Sequence, residues 1–251
     1  MKVCAVIPAA GMGSRLGINI PKLLLPVSDN ETVWTHLRKK LLTVVDHIHI
    51  IASTQGAELI SAAVAADAAA GQVSVGIQPK PIGMGDAIFR GFPVWKQAQS
   101  ILVIWGDQIF VSQQTLAHTL AVHSAAENTL TLPLTQVSSP YVEYIFDKNK
   151  SLLKVKQSRE GDNCDPQGLA DVGTFVLSVN GLMPAWQTFL TITAHGSQTG
   201  EINFLPFLPF LSANGWQVNT LMVADNLEAR GINTPDDLLF FQKLFNTEGT
   251  T

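Results

Sequence analysis

The sequence predicts an α/β fold: three α/β/α layers around a mostly parallel mixed sheet, with a small antiparallel insertion. Three observations predict it. Short apolar, β-rich runs at 2–8, 47–52, 73–77 and 101–105 are separated by stretches of helical spacing, the alternation of parallel βαβ units. The first run passes straight into a small-residue turn, Pro8-Ala9-Ala10-Gly11-Met12-Gly13-Ser14-Arg15. Past about residue 129 the alternation gives way to consecutive strand-like runs, two of them joined by Asp147-Lys148-Asn149-Lys150, a turn suited to a hairpin.

Residues 2–8 read as a strand buried on both faces and bounded by glycine. Over 32–44, Val33, Leu37, Leu41 and Val44 share one helical face, with cations on the other side. A strand over 47–52, an alanine-rich helix over 56–70 and a strand over 73–77 follow. Ala87, Ile88, Gly91, Phe92 and Trp95 space a helix over 85–97. The strand over 101–105 stops at Gly106-Asp107, and an acid at the carboxyl end of a buried strand lies where open α/β sheets bind ligands. Ser112 caps a helix reaching 126. Strands over 129–137, 141–146, 152–157 and 170–179 come next, then a weak helix over 181–190 and a polar loop over 191–200. Glu201 opens a short helix interrupted by proline, and 216–222 is a late strand. Thr234-Pro235-Asp236-Asp237 starts the final helix, to 245, with a cap, a first-turn proline and acids at the positive end of the dipole.

A length of 251 residues suits one sizeable core, so a single domain over 1–251 is expected. The net charge of -4, with no basic run longer than Arg38-Lys39-Lys40, argues against nucleic acid as the main partner. No apolar run reaches a membrane span, since the stretch over 204–211 is cut by Pro206 and Pro209. Entry into the first strand directly after Lys2, with no cleavage-type site, predicts a cytoplasmic protein. Cys4 and Cys164 are too far apart in sequence for a disulfide framework or zinc knuckle. Acids at 160, 162 and 165 make Cys164 a poor nucleophile. His47 and His49 share a strand face but find no third ligand nearby, and read as packing or surface.

The turn after the first strand, followed by Pro21-Lys22, brings backbone N–H groups and two cations, Arg15 and Lys22, against a polyphosphate. Gly11 and Gly13 allow close backbone approach, and Ala9 and Ala10 keep the entry narrow. A P-loop is excluded because the lysine follows a proline outside the glycines. The dinucleotide fingerprint is excluded because Leu16 stands where its third glycine belongs and Ala52-Ser53-Thr54 offers no acid. A ligand-free tight turn accounts for two glycines but not for Arg15 and Lys22.

The A-A-G-x-G-[ST]-R…P-K pattern is the one that fits. Through it the chain resembles the sugar-1-phosphate nucleotidyltransferases, most closely the N-acetylglucosamine-1-phosphate uridylyltransferases. By itself the loop separates poorly from the cytidylyltransferases of isoprenoid synthesis and the guanylyltransferases of molybdenum cofactor synthesis. Gln78 with Gly83-Met84-Gly85, Trp105-Gly106-Asp107 and Gly231-Ile232-Asn233-Thr234 extend the match along nearly the whole chain.

The resemblance implies a Rossmann-like nucleotide-diphospho-sugar transferase fold of the glycosyltransferase-A kind. Its nucleotide-binding part would cover about 1–128, its acceptor-binding part about 129–232, and its C-terminal helix about 234–245. It assigns the triphosphate to Pro8, Ala9, Ala10, Gly11, Gly13, Ser14, Arg15 and Lys22, and the base to Gln78, Gly83 and Met84, with Trp105 on the nucleotide side. Asp107 and Asn233 would hold Mg²⁺, which wants hard oxygens and takes only one or two from protein. The acceptor falls to Val142 or the adjacent Glu143, Gln157, Asp171 and Glu201. Met84, Val142, Gln157 and Asp171 depart from the family pattern, mostly on the acceptor side. The implied reaction is in-line attack by a sugar 1-phosphate oxygen on the α-phosphorus of a nucleoside triphosphate, UTP favoured, releasing pyrophosphate. Arg15, Lys22 and Asp107 are the catalytic candidates. A phosphate monoester is largely dianionic at neutral pH, so the nucleophile needs no protein base. Two alternatives remain: a cytidylyltransferase or other nucleotidyltransferase acting on a small phosphorylated alcohol, and a silent nucleotide-binding regulatory protein of the same fold.

Overall fold

The computed structural model describes residues 1–11, 16–18, 20–123 and 128–248. Its strands are β1 (Val3–Ala9), β2 (His47–Ser53), β3 (Val73–Gln78), β4 (Ser100–Ile104), β5 (Thr129–Ser138), β6 (Val142–Phe146), β7 (Leu152–Gln157), β8 (Gln167–Asp171), β9 (Thr174–Ser178) and β10 (Gln217–Met222). The main sheet runs β10-β5-β9-β4-β1-β2-β3, with β8 paired to β5, and β6-β7 forms a separate hairpin. β1 is parallel to β2 and β4, β2 to β3, and β10 to β5. β9 is antiparallel to both β4 and β5. The expected mixed sheet and antiparallel insertion are both present.

Alternation along the central strands makes the three layers. Ala5 and Ile7 of β1 and Leu102 and Ile104 of β4 join one core cluster. That cluster also takes Trp34, Leu37 and Leu41 from α1 (Val33–Leu41), Leu116 from α6 (Gln113–Val122) and Phe241 from α9 (Pro235–Glu248). Cys4, Val6, Ile101 and Val103 point the other way. They meet Ile88 and Phe89 from α4 (Met84–Arg90), Trp95 from α5 (Phe92–Trp95), Trp186 from α7 (Leu182–Ile192) and Phe207 from α8 (Phe207–Ala213). β4 is buried at all five positions, which is why it reads as an unbroken apolar run.

Four elements differ from expectation. The helix expected over 56–70 is two, α2 (Ala57–Ala63) and α3 (Ala65–Ala69), broken at Val64, whose φ of -103° and ψ of 7° leave the helical region while its side chain is buried. The helix expected over 85–97 breaks at Gly91 into α4 and α5, where Pro93 cannot donate into the ladder of the preceding turn. The strand expected over 170–179 is β8 and β9, divided at Gly173, which takes φ +73°. A Cβ there would lie 2.0 Å from Gln108 Cγ, so both the conformation and the space require glycine. Glu201 does not open a helix: α8 begins only after Pro206, and Ile202 is held extended by donating its N–H to Ile82 O at 2.7 Å. Of the expected caps, Ser112 accepts from Thr115 N, and Thr234 Oγ1 accepts from Asp237 N. Residues 124–126 of the helix capped by Ser112 lie outside the described residues.

Candidate active site

The carboxyl ends of β1, β2, β3 and β4 share one edge of the sheet, with β2 on one side of β1 and β4 on the other. Strand order therefore reverses between β1 and β4, and an open α/β sheet has its crevice at that point. The small-residue turn leaves β1 there, and Asp107 follows β4 there. A cleft of about 700 Å³ opens at this edge. Pro8, Ala9, Ala10, Gly11, Lys22, Gln78, Gly83, Met84, Trp105, Asp107, Val142, Gln157, Asp171, Glu201 and Asn233 all line it. Gly13, Ser14 and Arg15 lie outside the described residues. Among the described residues nothing stands within 4 Å of where a Gly11 Cβ would lie.

Three residues distant in sequence meet at the floor. Lys22 sits at the start of a short 3-10 turn, Lys22–Leu24, pinned by the buried Leu23. Its Nζ donates to Asp107 Oδ2 at 2.8 Å and to Asn233 Oδ1 at 3.2 Å. Asp107 is partly accessible, with 18% of its side chain exposed. Its backbone carbonyl accepts from Ile232 N at 3.1 Å, which brings the Gly231-Ile232-Asn233 segment alongside. Asp237 fastens that segment by accepting from Asn233 N at 3.1 Å, Thr234 N at 3.0 Å and Arg230 Nε at 3.0 Å. Burial pulls the Asp237 carboxyl upward, but these donors together hold it below its ordinary range. Two hard oxygens thus converge on one cation, here an ammonium, so the donor set fits Mg²⁺ completed by phosphate and water. Among the described residues no group of three or more His, Cys, Asp or Glu side chains that could hold a metal assembles, here or elsewhere.

Close to Gln78, Gly83 takes φ +128°, and a Cβ there would lie 2.4 Å from Ile202 O. Gly85 N donates to the same carbonyl at 3.3 Å. The glycine turn and the segment after Gly200 therefore pack directly against each other. Trp105 N donates to Gly173 O at 2.9 Å, and its ring packs edge-on against Phe175 and Phe204.

Asp171 is buried and its Oδ1 accepts from Gly173 N at 2.6 Å. Burial raises its pKa, Gly173 N–H pulls the other way, and the charge of Asp107 adds to the rise. Glu201 accepts from Arg159 Nη2 at 3.0 Å. Of the pair Val142 and Glu143, only Val142 lines the cleft; Glu143 is buried, accepting from Lys156 Nζ and Asp165 N at 2.9 Å each. Arg159, Arg230, Tyr141 and Gln108 also line the cleft and carry no motif in the sequence. Arg230 immediately precedes the segment that supplied Asn233, and Gln108 follows Asp107, so proximity to a motif was the available signal. Tyr141 likewise precedes the candidate Val142, and for Arg159 there was no such signal.

Elsewhere the expectations for thiols and imidazoles agree with the structure. Burial, then the charge of Glu143, raises the Cys164 thiol. His47 Nε2 and His49 Nδ1 both meet Ser74 Oγ, at 2.7 and 2.8 Å, in a packing network.

The sequence model of the MobA-like NTP transferase domain matches residues 5–164, from β1 through the hairpin to the loop beyond it. The chain belongs to this family. As a MobA-like NTP transferase domain it is 28% identical over 247 residues to the bifunctional protein GlmU of Acidithiobacillus ferrooxidans, covering 97% of this chain and 52% of the relative. It is 23% identical over 243 residues to GlmU of Blochmanniella pennsylvanica, covering 96% and 52%. The chain spans about half the length of these curated relatives. A solved structure assigned as a glucose-1-phosphate thymidylyltransferase from Bacillus anthracis, in complex with sucrose, superposes with a TM-score of 0.74 at 16% identity, covering 96% of this chain and 94% of that one. It shares the fold. No helix among the described residues is long and apolar enough to cross a membrane.

Proposed function

We propose that this NTP transferase domain is a sugar-1-phosphate nucleotidyltransferase that joins a nucleoside triphosphate, UTP favoured, to a sugar 1-phosphate and releases pyrophosphate. The observation that carries this reading is the meeting of Lys22, Asp107 and Asn233 at the switch point of the sheet. A pure binding protein has little use for an acid and an amide oxygen converging on a cation beside a triphosphate loop.

In this reading the acceptor phosphate attacks as a dianion, so catalysis reduces to alignment and charge neutralisation. Lys22 would exchange Asp107 for the α-phosphate and the incoming phosphate. Asp107 and Asn233 would hold Mg²⁺, which supplies neutralisation of charge on the phosphoryl oxygens. Arg15 and the turn amides after β1 are assigned to the leaving pyrophosphate. Gln78 reads the base, while Val142, Gln157, Asp171 and Glu201 face the acceptor.

The test is a pyrophosphate-release screen crossing ATP, GTP, CTP and UTP with sugar 1-phosphates and alditol phosphates. Release with UTP and a sugar 1-phosphate is expected. Release only with CTP and an alditol phosphate would move the assignment to a cytidylyltransferase. Tight nucleotide binding without release in any combination would leave a silent regulatory protein.

A further inference from the structure

Gln78, at the end of β3, is buried with 3% exposure, and both N–H bonds of its amide are used within the protein. Nε2 donates to Gly83 O at 3.0 Å and to Asp86 Oδ2 at 2.7 Å. Asp86 lies in the first turn of α4, and its Oδ2 also accepts from Arg90 Nε at 2.5 Å, one turn further along. Reversing the amide would set Oε1 against a carbonyl and a carboxylate, two groups with no proton to give. The orientation therefore follows from the chemistry of the neighbours. Gln78 lines the cleft, and Oε1 is the polar atom left to meet a ligand there.

We propose that Asp86 is a positioning residue that, held by Arg90, locks the Gln78 amide so that this side chain shows the base an acceptor and no donor. The inference rests on the assignment of Gln78 as the base reader. The lock favours a pyrimidine whose ring N3 carries hydrogen, uracil or thymine. Cytosine presents an acceptor at N3, so two acceptors would face each other in a buried place. The exocyclic amine of cytosine is a donor, but reaching Oε1 with it requires the ring to slide out of register. A carboxylate suits this task because it only accepts, whereas an imidazole or amide at position 86 could donate and let Gln78 turn over.

The experiment compares UTP with CTP on the whole protein, by kcat/KM for pyrophosphate release and by calorimetric affinity for each triphosphate. The wild-type chain is expected to favour UTP by about a hundredfold or more. Asp86→Ala should lower that ratio by roughly ten- to a hundredfold, chiefly by improving CTP. Asp86→Asn, nearly isosteric but able to donate to a reversed Gln78 amide, should lower it in the same direction, whereas Asp86→Glu, which only accepts, should keep most of it. Arg90→Ala, at an exposed residue, should shift the ratio the same way as Asp86→Ala and serves if that variant does not fold. A merely structural role would weaken both triphosphates together and leave the ratio unchanged, and that result overturns the lock. So does a wild-type chain that treats UTP and CTP alike. If no triphosphate yields pyrophosphate, the transferase reading fails separately, and the affinity ratios still decide the lock. Failure to bind either nucleotide overturns both.

Discussion

Lys22 and Asp107 neutralise one another across the crevice, and each is the group that a phosphate or a metal would recruit. Lys22→Ala and Asp107→Ala should each lower kcat/KM by about 10²–10³-fold, the range for removing one charge-stabilising group from a preorganised site. Pyrophosphate release measures this, and a wild-type rate in either variant removes that residue from the mechanism. Both side chains are partly exposed, so the same variants should change the urea midpoint little, because exposed ion pairs contribute at most about 1 kcal/mol. Gly173 should behave in the opposite way. Its φ of +73° and the 2.0 Å approach of Gln108 Cγ to a Cβ leave no room for a side chain. Gly173→Ala should destabilise the fold by about 2–4 kcal/mol in urea unfolding.

At the scale of elements, the strands carry titrations the site does not use. Burial, then the neighbouring charge of His47, lowers His49 on β2 to about 4, and burial lowers His123, just past α6, to about 4. Both imidazoles are neutral in the fold, while the unfolded chain takes up protons near the ordinary value of 6.5. Their contribution to stability is therefore complete above about pH 6.5 and is lost as pH falls toward 4. Urea midpoints between pH 7 and pH 4.5 should drop, and His49→Gln should flatten that slope. An unchanged slope would show that His49 is protonated within the fold. For α1, Thr32 Oγ1 accepts from Thr35 N while Thr35 Oγ1 accepts from Thr32 N, a reciprocal cap. Thr32→Ala should destabilise by about 1 kcal/mol.

For the whole molecule, the cleft draws on segments from Pro8 to Asn233, so a ligand in it stabilises the fold globally. UTP with Mg²⁺ at a hundred times its Kd should add about 2.7 kcal/mol and raise the melting temperature. Chelating the metal with EDTA should remove most of that shift and the pyrophosphate release with it. Full activity in EDTA would overturn the assignment of Asp107 and Asn233 as metal ligands.

The periodicity of short buried strands and the residues quoted with their motifs were legible in one dimension, because strand burial and backbone turns are local chemistry. They determined the α/β class and the hairpin and marked Lys22 and Asp107, while the family resemblance added Gln78 and Asn233 as candidates. The break at Gly173 was not legible, since that glycine answers to Gln108, far away in sequence, whereas the break at Gly91 had a local mark in Pro93. Arg159 escaped notice because nothing local marks a cation that faces a cleft, while Arg230 had only its place beside a motif. Only the tertiary structure decided that Lys22 rests on both Asp107 and Asn233, and which way the Gln78 amide points. That orientation depends on Asp86 and Gly83 accepting together, and hydrogen-bond direction is a property of the assembled neighbours, not of the residue.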